Sequence, residues 1–165
     1  MNTLPKKILI VEDEPVIADD LAYIIAGFGY NITGIALSYD EALEHIESVL
    51  PDLVLLDIAL KGDDDGIDLA QHINKHYHIP FLFVTSNADP LTINRIKKTK
   101  PAGFILKPFK KKELKTQIAI ALYDKQTKEE TINQRIFVKI GADMVGVETD
   151  SILFAKADDN YTNIV

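Results

Sequence analysis

A chain of 165 residues with 47% hydrophobic content has room for one full domain of about 100–150 residues plus a remainder. Its net charge of −7, from 18 Lys and Arg against 25 Asp and Glu, argues against a broadly basic nucleic-acid surface. The absence of cysteine removes disulfides, thiol catalysis and zinc–thiolate sites together, and fits a reducing compartment.

The N-terminal MNTLPKKILIVEDE turns acidic after a short apolar run and has no small-residue cleavage site. No apolar run approaches the roughly 18 residues of a membrane span, so a cytoplasmic protein without membrane association is expected. The sequons at Asn31 and Asn160 read as chance in that context.

Five short apolar runs follow one another along the chain: Lys7–Val11, Ile32–Leu37, Leu53–Leu56, Phe81–Val84 and Phe104–Leu106. Each is too short for a core helix and continuous rather than alternating, as expected of parallel strands covered on both faces. Helical spacing fills the gaps. Val16, Ile17, Leu21, Ile24 and Ile25 form one stripe after Pro15. Ser38 with Glu41 three residues later predicts a capping box before Ala42, Leu43, Ile46 and Val49. Gly66 precedes Ile67, Leu69, Ala70 and Ile73; Asp89-Pro90 opens a fourth helix; Leu114, Ile118, Ala121 and Leu122 mark a fifth. Five strand–helix units predict a doubly wound α/β fold with a five-stranded parallel sheet, because right-handed crossovers place helices on both faces.

Such a sheet binds ligands outside the carboxyl ends of its strands. The residues that follow the runs are Glu12, Asp13 and Glu14 after the first, Asp57 after the third, Thr85 and Ser86 after the fourth, and Lys107-Pro108 after the fifth. With the first and third strands adjacent, as in the flavodoxin-like order 2-1-3-4-5, Glu12, Asp13 and Asp57 can share one ion. Three packed carboxylates repel one another and are best tolerated around a hard cation, and Mg²⁺ fits because it takes few protein oxygens and keeps waters and phosphate oxygens as the rest. A carboxylate there can attack phosphorus to give an acyl phosphate, Lys107 can offset phosphoryl charge, and Thr85 can hydrogen-bond a phosphoryl oxygen.

These residues resemble the receiver (CheY-like) domain of two-component response regulators: Glu12-Asp13 after KILIV, Asp57 after LVLL, Thr85-Ser86 after FLFV and Lys107-Pro108-Phe109 after FIL. The resemblance covers about residues 5–124. It implies that Asp57 accepts phosphate from a sensor histidine kinase, and that Glu12, Asp13, Asp57 and the backbone carbonyl of Ala59 hold Mg²⁺. Lys107 would contact the phosphoryl group, Thr85 would be the switch hydroxyl, and Phe104 would stand at the switch aromatic. A cis Lys107–Pro108 bond is also implied. Two aspartates are common in the family where this chain has Glu12-Asp13, so Glu12 is expected to reach the metal through water. Phe104 lacks the hydroxyl of the tyrosine common there, so a readout must rest on packing. Ala59 and Asn87 stand where the family tunes dephosphorylation.

Other conspicuous residues read more plainly. Asp63, Asp64 and Asp65 read as solvated loop, with Gly66 there for a turn or helix start. Lys110, Lys111 and Lys112 read as a solvated first turn. His72, His76 and His78 suggest a metal site by the i, i+4 spacing of the first two, but without acidic or cysteine company they read as a polar helix end.

From Tyr123 to Gln134 the chain is polar, a helix extension or linker, and RIFVKI, MVGVET, SILFAKA and NYTNIV then read as strands. Residues 135–165 resemble the first strands of a LytTR-type DNA-binding domain. The expected organisation is a receiver domain over 1–124, an extension or linker over 125–134, and a partial LytTR-like β fragment over 135–165 from a truncated chain. Taken together, the expectation is a non-enzymatic response regulator controlling transcription. Phosphorylated Asp57 would shift it toward a homodimer through the face of the fourth helix, fifth strand and fifth helix, and DNA would be bound only through the missing part of the C-terminal domain. Two rivals are a receiver serving as a protein-interaction module and a haloacid-dehalogenase-like phosphohydrolase, whose Asp-x-Asp is broken here by Ala59.

Overall fold

The computed structural model describes residues 4–86, 89–140, 143–148, 155–158 and 161–164, with side chains as far as residue 123. Five parallel strands, β1 (Lys7–Val11), β2 (Asn31–Ala36), β3 (Leu53–Leu56), β4 (Phe81–Thr85) and β5 (Gly103–Leu106), make one sheet in the order β2-β1-β3-β4-β5. This is the flavodoxin-like arrangement expected from the sequence. The apolar runs are buried end to end in the inner strands β3 and β4 and from Ile8 onward in β1, while β2 and β5, at the two edges, are only partly covered.

Alternate residues of each inner strand feed two cores. Leu9, Val54, Leu56, Phe81 and Phe83 pack with Ala42 and Ile46 of α2 (Tyr39–Ser48), with Ile67, Ala70 and Ile73 of α3 (Gly66–His76), and with Ile96 of α4 (Pro90–Thr99). Ile8, Ile10, Leu55, Leu82 and Val84 pack on the other face with Ala18, Leu21 and Ile25 of α1 (Pro15–Gly27) and with Leu114, Ile118 and Ala121 of α5 (Lys111–Gln134). Helices therefore cover both faces, as the period-2 geometry of parallel strands requires.

Most of the expected apolar helix positions are buried, with two corrections. Val16 is 81% exposed, because at 100° per residue it falls off the stripe of Ala18, Leu21 and Ile25. Val49 is the C-terminal cap of α2 and is half out of the core. The Ser38 capping box is also modified. Ser38 Oγ accepts from the Glu41 N–H at 3.3 Å, but the Glu41 carboxylate reaches one residue further back, to the Leu37 N–H at 2.7 Å.

The reading of Asp63–Asp65 as one solvated loop fails at its last member. Asp65 is the N-cap of α3, its Oδ1 accepting from Ile67 N–H at 2.9 Å and Asp68 N–H at 3.0 Å, while Asp68 Oδ2 accepts from Asp65 N–H at 3.1 Å. The orphan amides of a helix start explain why an acid stands there. Asp63 and Asp64 are exposed, as expected.

The chain divides into two compact units, Met1–Leu122 and Tyr123–Val165. In the second, β6 (Arg135–Ile140) pairs antiparallel with β7 (Asp143–Glu148), and β8 (Ala155–Asp158) with β9 (Tyr161–Ile164). The first part of the expected run SILFAKA lies outside the described residues. Among the described residues no helix is long and apolar enough to cross a membrane.

Candidate phosphoacceptor and metal site

Strand register builds the site. Val11 stands opposite Leu56, so Glu12 and Asp57 leave neighbouring strands at the same level, and the Asp57 N–H bonds the Val11 carbonyl at 2.9 Å. Thr85 stands opposite Leu106, and the Lys107 N–H bonds the Thr85 carbonyl at 2.9 Å, so Lys107 starts its reach from the same edge. Glu12, Asp13 and Asp57 each offer a carboxylate oxygen, all within 4.8 Å of one another.

Burial gives these charges their importance. Glu12 and Asp57 are 1% and 5% exposed, and the Lys107 ammonium lies 2.5 Å from Glu12 Oε2 and 2.5 Å from Asp57 Oδ2. A single cation therefore bridges two carboxylates that would otherwise repel at close range. Burial pushes Glu12 above its usual range, with the Asp57 charge adding to it, and the hydrogen bond from Lys107 only partly offsets them. For Lys107, burial alone acts downward, but hydrogen bonds to Asp57 and Glu12 and their charges carry it above the usual lysine value. The lysine is held charged, and Glu12 is the strained member.

The two oxygens of Asp57 differ. Oδ1 accepts from the Ile58 N–H at 2.6 Å and the Ala59 N–H at 3.3 Å, which fixes the carboxyl group, while Oδ2 faces Lys107. Glu12 Oε1 accepts from the Glu14 N–H at 3.3 Å. The donor set consists of hard carboxylate oxygens, which suits a small divalent cation that keeps some of its waters.

Thr85 is buried beside this group, while Ser86 is exposed. Phe104 is half-buried, opposite Phe83 on β4, and packs on the core beneath α2, α3 and α4. Thr85 and Phe104 therefore lie on one face of the sheet, the face that carries α4. The Lys107–Pro108 peptide is cis, as the resemblance implies. Asn87 lies outside the described residues.

The sequence reading missed the close approach at Gly66 and the role of Arg95. Gly66 is the first residue of α3, and a Cβ placed on it would lie 1.9 Å from the Asp57 carbonyl oxygen. Gly66 starts the helix as expected, and close approach is what requires glycine there. The Gly66 N–H bonds the Ile58 carbonyl at 2.8 Å, which seats α3 against the acidic loop. Arg95 of α4 pairs with Asp65 at 2.6 Å and Asp68 at 3.5 Å, tying α4 to the cap of α3. The Asp65/Asp68 spacing of three carries a capping signal; nothing local points to Arg95, 30 residues away.

Comparison with known proteins agrees with this geometry. Residues 8–119 match the response regulator receiver domain model. The chain is 34% identical over 122 residues to the phyllosphere-induced regulator PhyR of Methylorubrum extorquens, covering 73% of this chain and 45% of that protein. It is 30% identical over 122 residues to the DNA-binding response regulator MtrA of Mycolicibacterium smegmatis, covering 74% of this chain and 53% of that one. It thus spans about half the length of these relatives. Among solved structures, the signal receiver domain of a modulated diguanylate cyclase from Desulfovibrio desulfuricans G20 superposes with a TM-score of 0.71 at 31% identity, covering 75% of this chain and 98% of that one. The match spans the five-stranded sheet and every residue of the acidic edge, and on that ground this chain belongs to the response regulator receiver domain family.

Proposed function

We propose that residues 1–124 act as a phosphoacceptor switch in which Asp57 takes a phosphoryl group from the phosphohistidine of a sensor kinase. The observation that carries this is the convergence of Glu12, Asp13 and Asp57 within 4.8 Å, with Lys107 bridging two of them. Asp57 Oδ2 is the nucleophile, because Oδ1 is already held by two amides. The Oδ2–P bond forms as the P–N bond of the phosphoimidazole breaks, and the released imidazole takes up a proton. Glu12, with Asp13, Asp57 and the Ala59 carbonyl, would hold Mg²⁺, and Glu12, the longer side chain, would act through a water. The ion supplies charge neutralisation for the phosphoryl oxygens. Lys107 exchanges part of its contact with Glu12 and Asp57 for a phosphoryl oxygen. Thr85 bonds another, and Phe104 repacks on the core face it shares with Thr85. The chain acts in signalling, with no turnover of an external substrate beyond its own phosphorylation and dephosphorylation.

The output we infer is control of transcription through a phosphorylation-dependent homodimer on the α4, β5 and α5 face. Support comes from Leu91 and Leu106, exposed on α4 and β5, and from the relative named as a DNA-binding response regulator. A LytTR-type output rests on the sequence resemblance of residues 135–165 alone. The family match ends at residue 119, and neither relative named above is of that class by name.

Incubation with Mg²⁺ and acetyl phosphate should add one phosphate by intact-mass spectrometry. Asp57→Asn or chelation of the metal should abolish it, and label persisting in the variant would refute the assignment.

A further inference from the structure

Outside the acidic edge, α3 carries His72 and His76 one turn apart, and their ring centroids lie 4.4 Å from each other with planes tilted by 40°. The His72 Nδ1 lies 2.9 Å from the hydroxyl of Tyr39, the first residue of α2. With Nδ1–H donating to that hydroxyl, the lone pair of His72 sits on Nε2. A carboxylate, carbonyl or hydroxyl on the far nitrogen is what orients metal-ligating imidazoles. His76 is exposed, so an incoming ion can reach its ring.

The separation selects a geometry. A metal–nitrogen bond of about 2.1 Å plus about 1.1 Å from nitrogen to ring centre puts each centroid about 3.2 Å from a bound ion. Two such ligands at a right angle have centroids about 4.5 Å apart, and at the tetrahedral angle about 5.2 Å. The observed 4.4 Å matches the right angle. Tetragonal ions meet nitrogen ligands at that angle, Cu²⁺ and Ni²⁺ foremost.

The fold also brings acidic residues near Tyr39. Burial, and then the charges of Asp64, Asp40 and Asp68, raise the Tyr39 phenol above its usual value, so acids from α2, from α3 and from the loop before α3 act on the residue that holds His72. Lys75 is the opposing cation. Slight desolvation, then His72 and Lys75, hold His76 below the ordinary imidazole value. His78, beyond the helix at a φ of 55°, takes no part.

We propose that His72 and His76 form a chelating site for a tetragonal divalent transition-metal ion, Ni²⁺ or Cu²⁺, with Tyr39 as the positioning residue and water completing the coordination. The site stands apart from the Asp57 site and takes a softer class of ion. The test is calorimetric titration of the untagged full chain with Ni²⁺, in excess Mg²⁺ to occupy the carboxylates. One equivalent should bind, His72→Ala and His76→Ala should each weaken it on the order of 100-fold, and Tyr39→Phe by about tenfold. Ni²⁺ should also raise the melting temperature of the parent chain but not of His76→Ala. Absence of Ni²⁺ binding, or an affinity unchanged in either histidine variant, overturns the proposal and leaves the two rings as a tilted pair.

Discussion

Two ionic groups sit a few residues apart on either side of the loop that follows β3, and burial separates their physics. At one end Glu12, Asp57 and Lys107 meet almost out of solvent; at the other Asp65, Asp68 and Arg95 meet with side chains 29%, 40% and 47% exposed. The first group has unequal oxygens, a carboxyl group pushed up by burial and a lysine shared between two acids. The second is a helix cap with an arginine laid across it. Charge that water cannot screen is reactive and costly, whereas charge that water reaches mostly arranges the backbone.

Breaking the buried group should have the largest effect. Lys107→Met leaves Glu12 and Asp57 facing each other without a cation, and chemical denaturation in the presence of a chelator should show a loss of about 3 kcal/mol, partly recovered by added Mg²⁺. Glu12→Gln removes the strained carboxyl instead. It should raise the melting temperature slightly while weakening Mg²⁺ binding measured by titration.

Gly66→Ala tests the seam between the two groups. Its Cβ would meet the Asp57 carbonyl at 1.9 Å, so α3 must shift, and urea unfolding should show a loss of about 2 kcal/mol together with slower phosphorylation by acetyl phosphate.

At the exposed group the effects shrink. Asp65→Ala removes the cap and should cost about 1 kcal/mol. Asp65 also gives a pH signature. Burial acts to raise its pKa, but bonds from Arg95 and Asp68 bring it below the usual carboxylate value. A depressed folded pKa means stability present above the unfolded pKa of about 4 and lost as pH falls through the folded one. The parent chain should therefore lose this contribution in an acid titration below about pH 4, and Asp65→Ala should not. Arg95→Ala is the smallest change, about 0.5 kcal/mol and reduced by salt, yet hydrogen exchange at the start of α4 should accelerate.

Much of this was readable in one dimension. KILIV, LVLL and FLFV declare buried parallel strands because a continuous apolar run of that length has no other stable home, and the residues after them must then share an edge. Asp65 was misread because a cap and a loop acid look alike until the helix start is fixed. Val16 was misread because one apolar residue beside a stripe is not distinguished from a member of it until the helix phase is known.

The sequence by itself determined the strand–helix alternation, the strand-end chemistry and the family, because each depends on local pattern and on spacing within the chain. Tertiary structure decided that Lys107 serves Glu12 and Asp57 together, that Gly66 must lack a side chain against Asp57, that Arg95 holds α4 to the α3 cap, and that His72 leans on Tyr39. The reason is range: these contacts join residues 9 to 95 positions apart, and only the packing of helices on a twisted sheet brings them within bonding distance.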